Sequence, residues 1–329
     1  MKNILKKLII SLFLAVVVYS GVSFFADIDK LWKTLATFEA KIFLWACLLT
    51  CGNYFFRFLK WHFYLTHLDI SVAWPRSLGV FLSGLVMSVT PGKIGEVLKA
   101  YLLKCSDGVP MTKTTSVVVA ERVTDLIGVL FLALVGVASF TSARVVVAVG
   151  GAAVLVSLVV VSSERLCLGM LSLIARLPRM GSVSEKMKGF YRNMKSLVKP
   201  WPLFVGCLLS VFGWSLEALA FFFLLRGFPG LQAELFTAFM VYSVSTAAGA
   251  LSFLPGGLGV TEGGMIALIL ETVKGATRTI AVAATILIRL ATLWFGVAVG
   301  LLMMGWMRWR VGPAFWRMNQ EKNFKCSNE

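Results

Sequence analysis

Residues 77–103 read SLGVFLSGLVMSVTPGKIGEVLKAYLL. The stretch is apolar overall, yet Pro91-Gly92 interrupts it near its centre. Proline removes a backbone donor and glycine relaxes the backbone, so a helix stops there. Whether this segment crosses a bilayer or turns back inside it decides the sidedness of everything downstream.

Working outward, unbroken apolar runs fall at 8–26 and at about 42–61, 117–140, 145–162, 203–225 and 280–306. Most approach or exceed the roughly 20 residues that span a hydrocarbon core. A second broken segment, 235–270, carries Pro255-Gly256-Gly257 at its centre. Over all 329 residues 58% are hydrophobic and 15% charged, where a soluble domain carries about 25% charged. The chain therefore reads as an all-α polytopic membrane protein. A secreted disulfide scaffold, a fibrous repeat and a disordered chain are excluded. Lys2, Lys6 and Lys7 precede the first run, whose 19 residues exceed the 7–15 of a signal-peptide core. An uncleaved first span with a cytoplasmic N-terminus is expected.

Two topologies compete: eight full spans, or six spans with two re-entrant helical hairpins. Cytoplasmic loops collect Lys and Arg. With hairpins, the cytoplasmic face receives 21 Lys/Arg and the outside 7; with eight full spans the count is 11 against 17. The hairpin topology follows, with both termini cytoplasmic. The first hairpin then enters from the cytoplasm and the second from outside. The chain reads as one domain, 1–310, with inverted halves of about 1–143 and 144–310, a basic cytoplasmic loop at 163–199 and a short basic tail at 311–329.

SVTPGKIGEV at 88–97 aligns without gaps on SFLPGGLGVT at 252–261. Ser88, Pro91, Gly92 and Gly95 match Ser252, Pro255, Gly256 and Gly259 at an offset of 164. Inverted repeats with helices broken at corresponding places point to a transporter's binding site. Freed backbone at membrane depth must be buried in protein or line a wet cavity, and a restarted helix presents N–H groups suited to phosphate or carboxylate. The plainer reading of a single break is a kink between packed helices.

Ionisable residues gather near the breaks. Lys93, Glu96 and Lys99 follow the first on one helical face, and Glu262 follows the second. Glu121, Arg122 and Asp125 begin the span after the first hairpin. Glu217 is mid-span, Arg289 lies in the last span, and Arg57 lies near the end of the second. A charge at the bilayer centre costs about 2.5–3.5 kcal/mol on insertion scales, so these groups need partners or water. Pro91, Gly92, Lys93, Gly95, Glu96, Arg122, Asp125, Pro255, Gly256, Gly257, Gly259 and Glu262 are the expected substrate-binding set. Arg57, Glu121, Glu217 and Arg289 are expected as coupling or ion-pair residues.

The net charge of +16 lies in loops between spans, so it reads as membrane sidedness and anionic-lipid attraction, not as nucleic-acid binding. Six cysteines and two histidines form no ligand set for zinc or haem; no metal or cofactor is expected. Met187, Phe190, Tyr191 and Met194 recur at helical spacing among Lys186, Lys188, Arg192 and Lys195. That suits either an interfacial amphipathic helix or a solvated basic loop.

At these motifs the sequence resembles the flippase-like, lysylphosphatidylglycerol synthase transmembrane-region family of bacterial and archaeal inner-membrane proteins. SVTPGKIGEVLKAYLL is similar to its P-G-[RK]-x-G-E-x-x-[RK] signature. ERVTDLIG at 121–128 resembles its E-R-x-x-D element, LPGGLGVTEGG at 254–264 its L-P-G-G-[LI]-G-x-x-E element, and RFLKWHFYL at 57–65 its R-x-x-[KR]-W element. The family includes the membrane half of the multiple peptide resistance factor, which flips lysyl-phosphatidylglycerol and has a separate soluble domain that aminoacylates the lipid. With about 20 residues after the last span, the resemblance implies translocation without synthesis here. A phospholipid or lipid-linked glycan is the expected substrate. A membrane-embedded transferase using Glu121 or Asp125 as base, or a non-catalytic partner of an envelope-lipid synthase, are the alternatives.

Overall fold

The computed structural model describes residues 21, 28–90, 96–134, 141–163 and 181–311. The expected first span at 8–26 and the tail at 311–329 lie outside the described residues, save Gly21 and Val311. The described chain is helical, with one isolated antiparallel bridge between Gln232 and Lys274.

The elements run as a short helix α1 (Ile28–Ala36), a span α2 (Ala40–His67), then α3 (Trp74–Gly84) continued by a 3-10 turn (Leu85–Val89), and α4 (Leu98–Asp107) after the first break. Next come α5 (Met111–Leu134), α6 (Thr141–Ser162), α7 (Gly181–Leu197) and the span α8 (Pro200–Arg226). The second broken segment is α9 (Leu235–Leu251), a 3-10 turn (Pro255–Gly257) and α10 (Val260–Thr272). The last span is α11 (Arg278–Arg289), a π turn (Leu290–Trp294) and α12 (Phe295–Val311). Ala40–His67, Pro200–Arg226 and Arg278–Met307 are each long and apolar enough to cross a membrane.

Both broken segments are hairpins. At the base of the first, Arg76 Nη1 lies 2.5 Å from Asp107 Oδ1, joining the start of α3 to the end of α4. At the base of the second, Gln232 N donates to Lys274 O at 3.1 Å, just outside α9 and α10. Each segment therefore leaves and returns at one level of the bundle.

The hairpins enter from opposite ends. Helices α2 and α8 run antiparallel: Tyr64 Oη donates to Pro202 O at 3.5 Å and Lys60 meets Ser210 at 2.6 Å. Further along, Gly52 faces Leu216 and Gly227 faces Phe38 and Ile42. The first hairpin follows the C-terminal end of α2 and the second that of α8, so their bases lie at opposite faces. The two hairpins meet inside, where a Cβ on Gly256 would sit 3.3 Å from Val89 Cγ1, and Val89, Leu258 and Val297 form a small apolar cluster. Exposed Trp74, Trp201, Trp306 and Trp309 lie at the face of the first hairpin's base, with exposed Trp32 and Phe236 at the other. Such aromatic belts suit the two membrane interfaces.

One span differs from its sequence reading. Expected over about 42–61, α2 continues to His67, where Asp69 takes a left-handed φ of 55° and Ile70 N caps Leu65 O at 3.0 Å. Arg57, expected near the span's end, and Lys60, assigned to the cytoplasm, are instead buried within the bundle. Hydropathy ended the span at these charges, although their partners keep the helix intact. Without them the expected cytoplasmic count falls from 21 to 19, still against 7.

Residues 187–195 lie in α7, whose Tyr191, Met194 and Leu197 are buried. The helix docks on α5, where Ser116 Oγ donates to Phe190 O at 3.1 Å. The apolar stripe thus covers protein and does not form a solvated loop.

Candidate functional site: a cavity between the hairpin tips

Three helices carry polar stripes at one-face spacing. These are Asn53, Arg57 and Lys60 on α2, Glu121 and Asp125 on α5, and Ser210, Trp214 and Glu217 on α8. Each stripe turns inward, and all eight residues are buried.

The stripes meet in an ion-pair network. Lys60 Nζ donates to Asp125 Oδ1 at 2.5 Å and to Ser210 Oγ at 2.6 Å. Trp214 Nε1 donates to the same carboxylate at 3.2 Å. Arg122 Nη2 lies 3.0 Å from Asp125 Oδ2 and 3.1 Å from Glu96 Oε2, so it ties α5 to the first hairpin. Lys99 Nζ reaches Glu121 Oε2 at 2.6 Å and Glu96 Oε2 at 3.4 Å, and sits 4.4 Å over the Trp61 ring. Gly84 leaves room for this lysine, since a Cβ there would come 2.5 Å from Lys99 Cγ. Arg57 is held more loosely. Its Nη2 is 3.7 Å from Glu96 Oε1, and its Nε has no hydrogen-bond acceptor among the described residues.

The second hairpin is held differently. Arg289 Nε lies 2.6 Å from Glu262 Oε1, and its Nη2 donates to Gly256 O at 2.7 Å. Glu262 Oε2 accepts from Gly259 N at 2.6 Å, capping α10 at its first turn. Nearby, Tyr242 donates a short hydrogen bond to Glu217. After Arg289 the helix widens into its π turn, which leaves carbonyls short of regular partners; Tyr54 Oη donates to Thr292 O at 2.7 Å.

Between these groups lies a cavity of about 370 Å³. Arg57, Arg122, Asp125, Glu217, Tyr242 and Arg289 form its polar wall, and Val123, Leu126, Val154, Leu251 and Phe253 an apolar one. The charged lining is three arginines against two acids, and Asp125 already serves Lys60. Arg122 and Arg289 are in turn paired with Glu96 and Glu262 behind the lining, so the wall offers guanidinium groups, whose charge-assisted bonds favour phosphate or carboxylate, in a cluster balanced by acids.

Of the residues expected from sequence, Arg57, Arg122, Asp125, Glu217, Gly256, Gly257 and Arg289 line this cavity. Glu96 and Glu121 lie in the ion-pair network and Glu262 behind Arg289, one layer back from the lining. Pro255 and Gly259 flank lining residues at the second tip. Pro91, Gly92, Lys93 and Gly95 lie outside the described residues. Sequence reasoning missed Lys60, Trp214, Tyr54 and Tyr242. The spacing of Arg57 with Lys60, and of Trp214 with Glu217, was the signal that could have found the first two.

Comparison with curated proteins finds a UPF0104 membrane protein of Pyrococcus horikoshii, 25% identical over 307 residues, covering 85% of this chain and 91% of that protein. A UPF0104 membrane protein of Methanothermobacter thermautotrophicus is 25% identical over 268 residues, covering 74% and 78%. Residues 9–300 match the family model of the lysylphosphatidylglycerol synthase TM region. That match spans the hairpins, the cavity and nearly all the helices that build them, and the chain belongs to the lysylphosphatidylglycerol synthase TM region family.

Proposed function

We propose that this protein translocates a phospholipid or lipid-linked glycan across the cytoplasmic membrane. The headgroup passes through the cavity while the hydrocarbon chains stay in lipid. The observation that carries this reading is Arg57: a guanidinium 6% exposed, lining a cavity between two oppositely inserted hairpins, with its Nε uncommitted among the described residues. Glu96 approaches Arg57 only to 3.7 Å, and an anionic headgroup would add a closer, charge-assisted contact. The apolar wall gives the same lipid's first methylenes a surface to follow. The sidedness is that of the charge count, with the first hairpin's base and both termini cytoplasmic. The mechanism is binding and passage, with no bond made or broken.

The test is transport of fluorescent phosphatidylglycerol by the purified protein in phosphatidylcholine vesicles, with no donor substrate. Arg57→Gln should fold and insert as the native protein does yet lose most of the transport rate. Native transport by Arg57→Gln would remove the basis of the reading. Lipid modification requiring a soluble donor, without transport, would favour a transferase.

A further inference from the structure

Residues 186–199 read KMKGFYRNMKSLVK, with five lysines and arginines and no acid. Most of the stretch is the C-terminal part of α7. The protein itself uses the apolar residues. Tyr191, Met194 and Leu197 are buried, and the Phe190 carbonyl accepts from Ser116 of α5. A helix docked in this way cannot press its apolar side into a bilayer. Its contact with anything outside the bundle is made by its charges.

Those charges are ordered. Lys188, Arg192, Lys195 and Lys199 follow at i, i+4, i+7 and i+11, the spacing of one helical face. All four are exposed. Val198 N and Lys199 N still donate to Met194 O and Ser196 O at 3.1 and 3.4 Å, so the helical path holds to the last of them. At 1.5 Å per residue the stripe is about 16 Å long. Docked sides flank it, with α5 on one and on the other Ser196 Oγ, 3.4 Å from His67 Nε2 of α2.

The stripe's position fixes what it meets. Lys199 immediately precedes α8, which is long and apolar enough to cross a membrane from Pro200 onward. Near the start of that span Trp201 and Phe204 are 66% and 59% exposed, with stacked rings 6.4 Å apart. An exposed tryptophan at the end of a span belongs at headgroup level. Lys199, two residues earlier, shares that level, and the stripe runs on from it along α7. Basic clusters beside a span attract anionic lipid, and the attraction falls off within a Debye length. Charge alone would also suit an acidic protein. The aromatic pair beside Lys199 selects lipid, because it sets that end of the stripe among headgroups.

We infer that the exposed side of α7 is a docking strip for anionic phospholipids of the leaflet at the first hairpin's base, holding their headgroups by charge without inserting. The strip concentrates anionic lipid against α5, the helix whose Arg122 and Asp125 line the cavity. It goes beyond the transport reading and stands without it.

Gly189 supplies the reporter position, since a Cβ there has nothing within 4 Å. The full-length protein with Gly189→Cys in a cysteine-free background is labelled with bimane and reconstituted in phosphatidylcholine vesicles. Phosphatidylglycerol or phosphatidylcholine carrying a nitroxide high on one acyl chain is titrated in as the quencher. Half-quenching should need at least about fivefold less of the phosphatidylglycerol, the preference that even one basic residue near an anionic surface supplies. The preference should vanish when Lys188→Gln, Arg192→Gln, Lys195→Gln and Lys199→Gln are combined. It should also vanish for the native stripe at about 1 M salt, where the screening length is about 3 Å. Replacing the three lysines by arginine should keep it.

Equal quenching by the two lipids at low salt overturns the assignment. So does a preference that the fourfold variant keeps at an unchanged melting temperature. If that variant melts lower, the salt arm decides, and a preference untouched by salt overturns the assignment. Quenching by aqueous iodide and by neither lipid would place the stripe in water, overturn the lipid strip and favour an acidic protein. None of these arms reads transport, so failure of the headgroup path leaves them standing.

Discussion

Lys60 Nζ lies 2.5 Å from Asp125 Oδ1, with both side chains nearly sealed from solvent. The pair fastens α2 to α5 at a depth where neither charge is tolerable alone. Removing one partner of a buried pair costs about 3–5 kcal/mol, whereas replacing both with apolar groups is often near neutral. Asp125→Ala should therefore lower the melting temperature of the purified protein sharply, and Lys60→Met combined with Asp125→Leu should recover part of the loss, the rest reflecting the acceptor that Arg122 and Trp214 still lack. Thermal unfolding in detergent checks this; a double variant as unstable as the single would show that Asp125 acts through other partners.

Two glycines of α12 should respond oppositely to the same change. A Cβ at Gly300 meets Val86 and Leu82 backbone, which cannot yield, while Gly305 has nothing within 4 Å. Gly300→Ala should cost about 1–3 kcal/mol of stability through overpacking. Gly305→Ala should be neutral or stabilising by up to about 1 kcal/mol from helix propensity. The same unfolding measurement compares them.

Tyr54 satisfies the Thr292 carbonyl at the π turn, and its hydroxyl fits because residue 296 is glycine: a Cβ there would lie 2.6 Å from Tyr54 Oη. Tyr54→Phe leaves that acceptor buried without this donor and should cost about 1–3 kcal/mol. Hydrogen exchange of amides 290–297 is the local readout. Exchange as slow as in the native protein would mean that the π turn closes without the tyrosine.

Sidedness can be read from four exposed positions at the hairpin bases. Arg76→Cys and Lys104→Cys should react with impermeant maleimide only from the cytoplasm, and Gln232→Cys and Lys274→Cys only from outside. Eight full spans would instead place 76 and 104 on opposite faces, and likewise 232 and 274. Labelling of intact cells distinguishes the two patterns.

Much of this architecture was legible because breaks and charges in an apolar chain are loud signals. Pro91-Gly92 and Pro255-Gly256 marked the hairpins, and the loop charges predicted that the two enter from opposite faces, as they do. Lys60 was misplaced because hydropathy cannot tell a charge in a loop from a charge whose partner lies 65 positions away. Trp214 was missed because an indole in a span reads as apolar until Asp125, 89 positions earlier, is seen to accept its N–H.

The bridge between Gln232 and Lys274 limits how the second hairpin can travel. One backbone hydrogen bond joins its two legs at their feet, which opposes the sliding of one leg past the other. Displacement at the tip must then grow from almost nothing at the feet, as a pendulum's does. A swing of that kind shifts Phe253 and Gly256 far more than it shifts Leu235 or Thr272. Any bending of the second hairpin would therefore be felt beside Arg289 before it reached Gln232 and Lys274.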